Sequence, residues 1–179
     1  MPGTSNRNSL ILFFALFTAL VIPACTGEPP PVIVRVGPTD IPGGDALGAR
    51  DITVRNSRLA VAFAVDTAPP WGVARGGIVD VAVVQNGELS VDRASLVDFM
   101  PNDWSDWPTS YQIVTVEKQS ADEVIVKTER DWGVTHLVTT FRIRADDDKV
   151  HIVTEMTNAG DKPLEALSSG YVLWPDGGY

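Results

Sequence analysis

From residue 51 onward, apolar and polar residues alternate with a period of two, and this pattern restricts the fold more than any other feature. The alternation is cleanest in residues 111–116, 123–128, 136–143 and 151–156, which short polar segments separate. Side chains two positions apart lie on the same face of a strand, so each segment has an apolar face to bury. Strands at this spacing, with no long helical period, predict an all-β fold, an antiparallel β-sandwich.

Local signals refine this interpretation. Residues 59–65 are apolar on both faces, which is typical of a central strand. Asn56-Ser57 and Asn86-Gly87 predict hairpin turns, since Asn and Gly adopt the backbone conformations that tight turns require. Residues 32–36 predict a short edge strand, and residues 93–100 are the one brief segment that we expect to be helical.

The first 24 residues have the pattern of an export signal. Arg7 precedes an apolar run, residues 10–22, in which only Thr18 is polar. As a helix this run spans about 20 Å, less than the roughly 30 Å core of a bilayer, so it predicts a signal peptide rather than a membrane anchor. The sequence Ile22-Pro23-Ala24-Cys25 resembles a bacterial lipobox, which implies cleavage before Cys25 and lipidation of that residue. The alternative is an ordinary signal peptide cut after Ala24, with Cys25 incidental.

This organisation divides the chain into three parts. Residues 1–24 are the signal, residues 25–50 are the lipidated Cys25 and a Pro- and Gly-rich tether, and residues 51–179 are the sandwich domain. Membrane attachment is expected through Cys25. Because Thr26 and not an acidic residue follows it, the expected location is the outer membrane if the host has one. Cys25 is the one cysteine, so neither an intrachain disulfide nor a thiolate zinc site is expected.

Charge and motif content exclude several classes of function. The chain has a net charge of −9, and without Arg7 it carries 13 basic and 23 acidic side chains. This acidity repels a polyanion, so nucleic acid is not an expected partner. No GxSxG, Walker or GxGxxG motif is present. The sequence therefore predicts no cofactor, no metal site and no catalytic residue.

Aromatic residues beside acidic ones form the strongest candidate for a binding site, within residues 101–111. The candidate ligand-binding residues are Trp104, Trp107, Asp103, Asp106 and Tyr111. Flat rings stack on the C–H faces of sugars and carboxylates accept hydrogen bonds from sugar hydroxyls, so we predict a saccharide site here. The alternative is that Trp104 and Trp107 close one end of the sandwich and pack in its core. Trp71 and Trp132 are also predicted to lie in loops.

Other polar residues have weaker functional signals. His136 and His151 begin two strands that we expect to be neighbours, and we interpret them as exposed sheet residues rather than as an acid–base pair or metal site. Asp80 lies in an apolar strand, where it is predicted to bond the turn at Gly76-Gly77. Residues 146–148 are three aspartates without the alternating ligands of a calcium loop, and they predict a solvated turn.

The region around residues 149–171 resembles part of a known family. Residues 149–164 read KVHIVTEMTNAGDKPL, and residues 169–171 read SGY. A strand, a T-N-x-G-D-K-P-L turn and a following G-Y strand are similar to those of galactose-mutarotase-like β-supersandwich domains. The resemblance covers roughly residues 51–179 and implies a carbohydrate-associated fold. In the epimerases of this family a catalytic His follows the turn, where this chain has Tyr171, so no catalytic residue is carried over.

Residues 174–179 place a turn signal and a single aromatic directly after a strand-like segment. We therefore expect an incomplete sandwich, the N-terminal part of a larger protein, with a downstream domain as a partner. The leading hypothesis is an exported lipoprotein with a carbohydrate-binding or carbohydrate-associated sandwich that is non-catalytic in this chain. The alternatives are the N-terminal fragment of a sugar-active enzyme (an epimerase, lyase or hydrolase) and a structural accessory module with no sugar ligand.

Overall fold

The computed structural model describes residues 30–70, 75–101, 108–164 and 168–176, without the side chains of residues 108–112. The regular elements of this part of the chain are eleven β-strands. They are β1 (Ile33–Val36), β2 (Ile52–Arg55), β3 (Leu59–Phe63), β4 (Ile78–Gln85), β5 (Glu88–Leu89), β6 (Ala94–Met100), β7 (Pro108–Gln119), β8 (Glu123–Trp132), β9 (Thr135–Arg144), β10 (His151–Asn158) and β11 (Gly170–Pro175).

The strands pair into two antiparallel sheets. The large sheet has the order β1-β2-β3-β4-β6-β11, and β5 adds to β4 as a short hairpin. The small sheet has the order β10-β9-β8-β7, which is the meander that the alternating segments predicted. The chain then returns to the large sheet, where β11 pairs with β6. Two antiparallel sheets packed together form a β-sandwich, so the predicted fold class is confirmed.

The main core lies between the two sheets. From the large sheet, Val54, Val61 and Phe63 point inward, and Val126 and Phe141 meet them from the small sheet. Phe63 and Phe141 pack edge to face with their ring centroids 5.0 Å apart. The inward positions of β8 and β9 alternate strictly with half-exposed ones, so the period of two that the sequence shows is the inside–outside pattern of the small sheet.

The outer face of the large sheet carries a second apolar layer. Strand β3 is buried on both faces, which confirms its prediction as a central strand, and Ala60 and Ala62 supply its outer side. Ile41 and Ala46 cover these alanines. The sandwich therefore includes residues 32–50, although the sequence analysis assigned residues up to 50 to a tether. Strand β1 pairs with β2 as the predicted edge strand, and the small alanines leave room for the segment that follows it.

Strand β6 corrects the expectation of a helix at residues 93–100. The seven residues of β6 alternate between buried and half-buried, and they pair with β11 along its length. A window this short has apolar residues that suit either a helical or a strand period, so local sequence does not separate the two. The partner strand, more than 70 residues later in the chain, decides the outcome.

The strands turn back at two ends of the sandwich that differ in construction. At the short-turn end the connections are residues 56–58, 86–87, 120–122 and 145–150. At the long-connection end lie the strand termini that are joined by residues 37–51, 64–77, 101–107 and 159–169, together with the tight turn at 133–134. Because strand directions alternate, each sheet contributes to both ends.

Asn56 holds the short-turn end together. Its side-chain amide donates to the backbone carbonyls of Arg144 and Asp147, and its Oδ1 accepts from the N–H groups of Arg58 and Leu59 at 2.8 Å each. One buried, neutral side chain thus closes its own hairpin and fastens it to the small sheet. The predicted turns at Asn56-Ser57 and at residues 146–148 are confirmed.

Candidate functional site

The predicted site residues lie mostly outside the described part of the chain. Residues 102–107, with Trp104, Trp107, Asp103 and Asp106, are outside it, and Tyr111 is described only as a backbone position in β7. Cys25 and Trp71 are outside it as well. Within the described ranges, no helix is both long enough and apolar enough to cross a membrane.

The flanks of this segment place it at the long-connection end. The chain leaves β6 of the large sheet at Pro101, which is buried, and enters β7 of the small sheet at Pro108. Pro108 lies opposite Trp132 in the pairing of β7 with β8. The chain therefore passes from the large sheet to the small sheet between Pro101 and Pro108, and Pro108 lies opposite the buried Trp132.

Trp132 itself is part of the scaffold. It was predicted in a loop, but it is the last residue of β8 and only 1% exposed, in contact with Leu137, Phe99 and Met156. The alternation of β8 continues through residues 131 and 132 because the turn that follows is only two residues long. This indole supports the long-connection end from inside and is not available to a ligand.

Tyr171 is the exposed aromatic of this end, and sequence reasoning did not select it as a binding residue. Its ring meets Phe99 edge to face with centroids 5.3 Å apart, and 47% of the residue is exposed. Its hydroxyl donates to Thr154 Oγ1 at 2.9 Å, and Thr154 shares a hydrogen bond of 2.8 Å with Thr139. These contacts fix the ring between β11 of the large sheet and β10 of the small sheet.

Asp98, the residue before Phe99, forms a buried ion pair with Arg130. The two terminal nitrogens of Arg130 on β8 donate to the two carboxylate oxygens of Asp98 on β6, each at 2.7 Å, and both side chains have no exposed surface. Gly77 packs so closely that a Cβ there would lie 3.2 Å from Asp98 Cγ. The alternation of β8 places Arg130 on the same inward face as Val126 and Thr128. This pattern in the sequence was a signal for a buried arginine, and it was not used.

The two histidines lie on neighbouring strands but far apart. His136 Nδ1 is 2.7 Å from Asp131 Oδ1 at the long-connection end, and His151 Nε2 is 2.7 Å from Asp147 Oδ2 at the short-turn end. In the strand register His151 lies opposite Arg142, so the histidines do not form a joint site. Each is half-buried and bonded to an aspartate, rather than simply exposed as the sequence suggested.

Asp80 has a structural role, as predicted, but with different partners. Its carboxylate accepts the backbone N–H groups of Asp45 at 2.6 Å and Ala46 at 3.1 Å, rather than bonding the turn at Gly76-Gly77. Gly44 lies against the same carboxylate. Burial raises the pKa of Asp80 to about 6, although these two N–H groups act in the opposite direction.

Asp51 anchors another connection at the long-connection end. It is fully buried and accepts the backbone N–H groups of Val65, Asp66, Thr67 and Gly48, as well as the hydroxyl of Thr67. Burial raises its pKa, but the hydrogen bond from the Thr67 side chain and those from the backbone outweigh it, so the net pKa is lowered.

Neither a metal-binding arrangement nor a similarity to known proteins identifies the function of this chain. Among the residues described by the structure, no group of three or more His, Cys, Asp or Glu side chains is arranged to hold a metal ion. Comparisons of the chain with protein-family models, with curated proteins and with solved structures found no significant match. The case for a function therefore comes from the chemistry of the chain itself.

Proposed function

We propose that this chain is an exported, lipid-anchored protein whose β-sandwich binds a saccharide, without catalysis, at the long-connection end. The observation that supports the proposal most is the position of Tyr171 beside the tryptophan-rich segment. Tyr171 pairs with Phe99, and Gly170 pairs with Met100, the residue just before the buried Pro101. The exposed ring thus lies one residue pair from the point where the chain departs toward Trp104 and Trp107.

The chemistry of this end suits a sugar. An aromatic ring that is held edge-on by Phe99 and tied by its hydroxyl to Thr154 loses little conformational entropy when a ligand stacks on it. Asp131 and His136, half-exposed on the same end of the small sheet, supply polar groups for sugar hydroxyls. Stacking of this kind supports affinities from micromolar to millimolar, roughly −8 to −4 kcal/mol.

A specific observation favours the accessory-module alternative as the second candidate. The edge strands β10 and β11 expose apolar side chains, with Val153 61% and Leu173 64% accessible. A protein domain packed against these edges would cover both residues. That interaction requires no sugar, so the two candidates predict different ligands.

Tryptophan fluorescence and calorimetry of the mature chain with a panel of neutral oligosaccharides test the saccharide proposal. Trp104→Ala, Trp107→Ala and Tyr171→Ala are each expected to weaken binding at least tenfold while unfolding stays cooperative. Leu173→Ala, an exposed residue of the same strand as Tyr171, is the matched control and should bind as the parent does. Absence of any saccharide response in the parent, with early melting of the tryptophan variants, would reject the site in favour of a packing role.

The anchor is tested separately by processing. The mature protein is expected to partition into detergent and to carry acyl chains on Cys25, and Cys25→Ser should yield a form without them. Mass spectrometry of the N-terminal peptide decides the matter. An unmodified Cys25, or cleavage at another position, contradicts the anchor and leaves the binding proposal untouched.

A further inference from the structure

The outer face of the small sheet contains a basic cavity at the short-turn end, opposite to the saccharide site proposed above. It has a volume of about 230 Å³ and is lined by Thr140, Arg142, Arg144, His151 and Val153. The three residues from β9 occupy alternate positions and so share one face, and His151 of β10 lies directly across from Arg142. We call these five residues the basic cavity.

Positive charge is in excess around the basic cavity. One carboxylate, Glu123, serves three cations, with Lys118 Nζ at 2.8 Å, Arg142 Nε at 3.3 Å and Arg144 Nε at 3.5 Å. The hydrogen bond from Lys118 is the largest cause of the lowered pKa of Glu123, which stays ionised. Asp147, which bonds His151 of the cavity at 2.7 Å, is a second carboxylate here, so two negative charges face these three cations and one positive charge remains in excess.

The arginines still have free hydrogen-bonding capacity. Both approach Glu123 through Nε, and their terminal guanidinium nitrogens have no hydrogen-bond partner among the described residues. Their side chains are 42% and 48% exposed, so these donors are accessible from solvent. A guanidinium presents two parallel N–H groups, a geometry that matches the paired oxygens of a carboxylate, sulfate or phosphate.

The chain as a whole is acidic, so a small basic cavity favours a small anionic ligand over a long polyanion. The net charge is −9, and the acidic turn at residues 146–148 borders the short-turn end. Positive potential is therefore confined to the cavity, where a single small oxyanion fits, and does not extend into a surface for a long polyanion. The hydroxyl of Thr140 and the methyl groups of Val153 add one polar and one apolar contact beside the arginines.

We propose that the basic cavity binds a sugar unit carrying an oxyanion, either the carboxylate of a uronate or a sulfate ester. The sugar part of this inference rests on the proposed function, whereas the oxyanion part rests on the arginines alone. Along β9 the cavity begins at Thr140, five residues from Thr135, which is roughly 17 Å at about 3.4 Å per residue. The two sites are therefore separate and can be tested independently.

Calorimetric titration of the mature protein tests the basic cavity, with trigalacturonate, its methyl ester and a sulfated neutral trisaccharide as the probes. The parent is expected to bind at least one charged probe, and to bind the ester at least tenfold more weakly than trigalacturonate if the carboxylate is recognised. Arg142→Gln and Arg144→Gln should each weaken binding of the charged probe at least fivefold. Arg142→Lys keeps the positive charge but loses the two parallel N–H groups of the guanidinium, so an intermediate affinity is expected.

Arg35→Gln is the matched control, because Arg35 is also an exposed strand arginine with one carboxylate partner, Asp40, but lies on β1 of the large sheet. It should bind as the parent does. Equal losses in Arg35→Gln and Arg142→Gln would show a general charge effect and overturn the proposal. So would unchanged binding in both Arg142→Gln and Arg144→Gln. Melting curves are expected to change little, since the arginine pairs are exposed.

The outcomes also separate this inference from the saccharide site of the long-connection end. If Trp104→Ala abolishes binding of the ester and of trigalacturonate alike while Arg142→Gln has no effect, the basic cavity is rejected and the aromatic site stands. If Arg142→Gln abolishes binding of the charged probe while Trp104→Ala has no effect on any probe, the cavity stands and the aromatic site is rejected. Binding of the sulfated probe alone identifies the sulfate ester as the oxyanion.

Discussion

The two ends of the sandwich satisfy their buried backbone groups in different ways. At the short-turn end the connections are only a few residues long, and one neutral amide, Asn56, bonds the backbone of both sheets. At the long-connection end the longer segments are held by buried carboxylates, Asp51 and Asp80, which accept N–H groups from residues distant in sequence. Both ends therefore use a side chain to bond backbone groups, and they differ in that the amide is neutral whereas the carboxylates can titrate.

This contrast has consequences for both stability and function. A neutral anchor does not titrate, whereas a buried carboxylate couples stability to pH. Long connections also leave room for exposed side chains, which is where binding residues usually lie in β-sandwiches. The exposed Tyr171 belongs to the long-connection end, as do Pro101 and Pro108, which flank the segment with Trp104 and Trp107.

Removal of one partner of the buried ion pair should have the largest effect. Asp98→Ala leaves the Arg130 charge in a fully buried site, so we expect a loss of about 3–5 kcal/mol in the free energy of unfolding. The double variant Asp98→Leu, Arg130→Met removes both charges and should recover most of that loss. Urea unfolding of the mature protein measures both. A double variant as unstable as the single one would show that the pair is needed for more than mutual neutralisation.

The anchor of the short-turn end should come next. Asn56→Ala removes two hydrogen bonds to carbonyls of the small sheet and two from its own hairpin, and we expect a loss of about 2–3 kcal/mol. Ser57→Ala is the control, because it removes a single bond to Ala145 and should cost less than about 1 kcal/mol. Equal losses in the two variants would contradict the assignment of Asn56 as the principal tie of this end.

The carboxylate anchors predict a pH dependence that the neutral anchor does not share. The pKa of Asp80 is about 6 in the folded protein and 3.8 in the unfolded chain, so the folded state binds more protons between these values. The contribution of Asp80 to stability should therefore fall as the pH rises from about 4 to about 6, by an amount on the order of 2 kcal/mol. Asp92, whose pKa is also raised by burial, contributes in the same direction. Asp51, whose pKa is lowered, contributes in the opposite direction.

Asp80→Asn tests this sign. The urea midpoint of the variant should rise relative to that of the parent between pH 4 and pH 7, because the variant lacks the carboxylate whose ionisation destabilises the folded state. Asp66→Asn is the comparison, since Asp66 forms an exposed ion pair with Arg50 and has a pKa lowered mainly by that hydrogen bond. If Asp80→Asn does not gain stability relative to the parent as the pH rises from 4 to 7, the raised pKa of Asp80 is contradicted.

The smallest effect is expected at the tight turn of the short-turn end. Asn86 and Gly87 adopt positive φ values of 53° and 82°, the conformation of the predicted hairpin turn. Gly87→Ala introduces a side chain into this conformation and should cost about 1 kcal/mol. Gly170→Ala in β11 is the control, because its φ is not positive and a Cβ there meets nothing within 4 Å. Thermal unfolding should place the control within about 0.5 kcal/mol of the parent.

The strands of the small sheet were the most predictable part of the molecule. Residues 123–128, 136–143 and 151–156 were assigned from alternation, and the structure extends each of them by two to four residues. Each strand pairs with its neighbour in sequence, so the information needed for pairing is local. The turns at Asn56 and Asn86 were predictable for the same reason.

Most of the errors involve partners that are remote in sequence. Residues 93–100 were expected to be helical, and their pairing with β11 makes them a strand. Trp132 was expected in a loop, and packing against Leu137 and Phe99 places it in the core. Residues up to 50 were expected to form a tether, and Ile41 covers the alanines of β3 instead.

The candidate sites also differ in how far the sequence alone could predict them. The tryptophan-rich segment was recognisable because its composition is unusual within eight residues of sequence. Tyr171 was noted only as a departure from the family pattern, since its exposure depends on pairing with β6. Arg142 and Arg144 look like the solvated face of a strand, and their significance appears only when Glu123 and His151 of the adjacent strands lie beside them.

By itself, the sequence determined the period of two, the tight turns, the acidic net charge and the composition of the candidate saccharide segment. Only the tertiary structure decided that Asp98 and Arg130 neutralise each other, that β6 is a strand, and that the basic cavity forms. The physical reason is that periodicity and turn geometry arise from neighbouring residues, whereas desolvation and charge pairing depend on groups that meet after the sheets have formed.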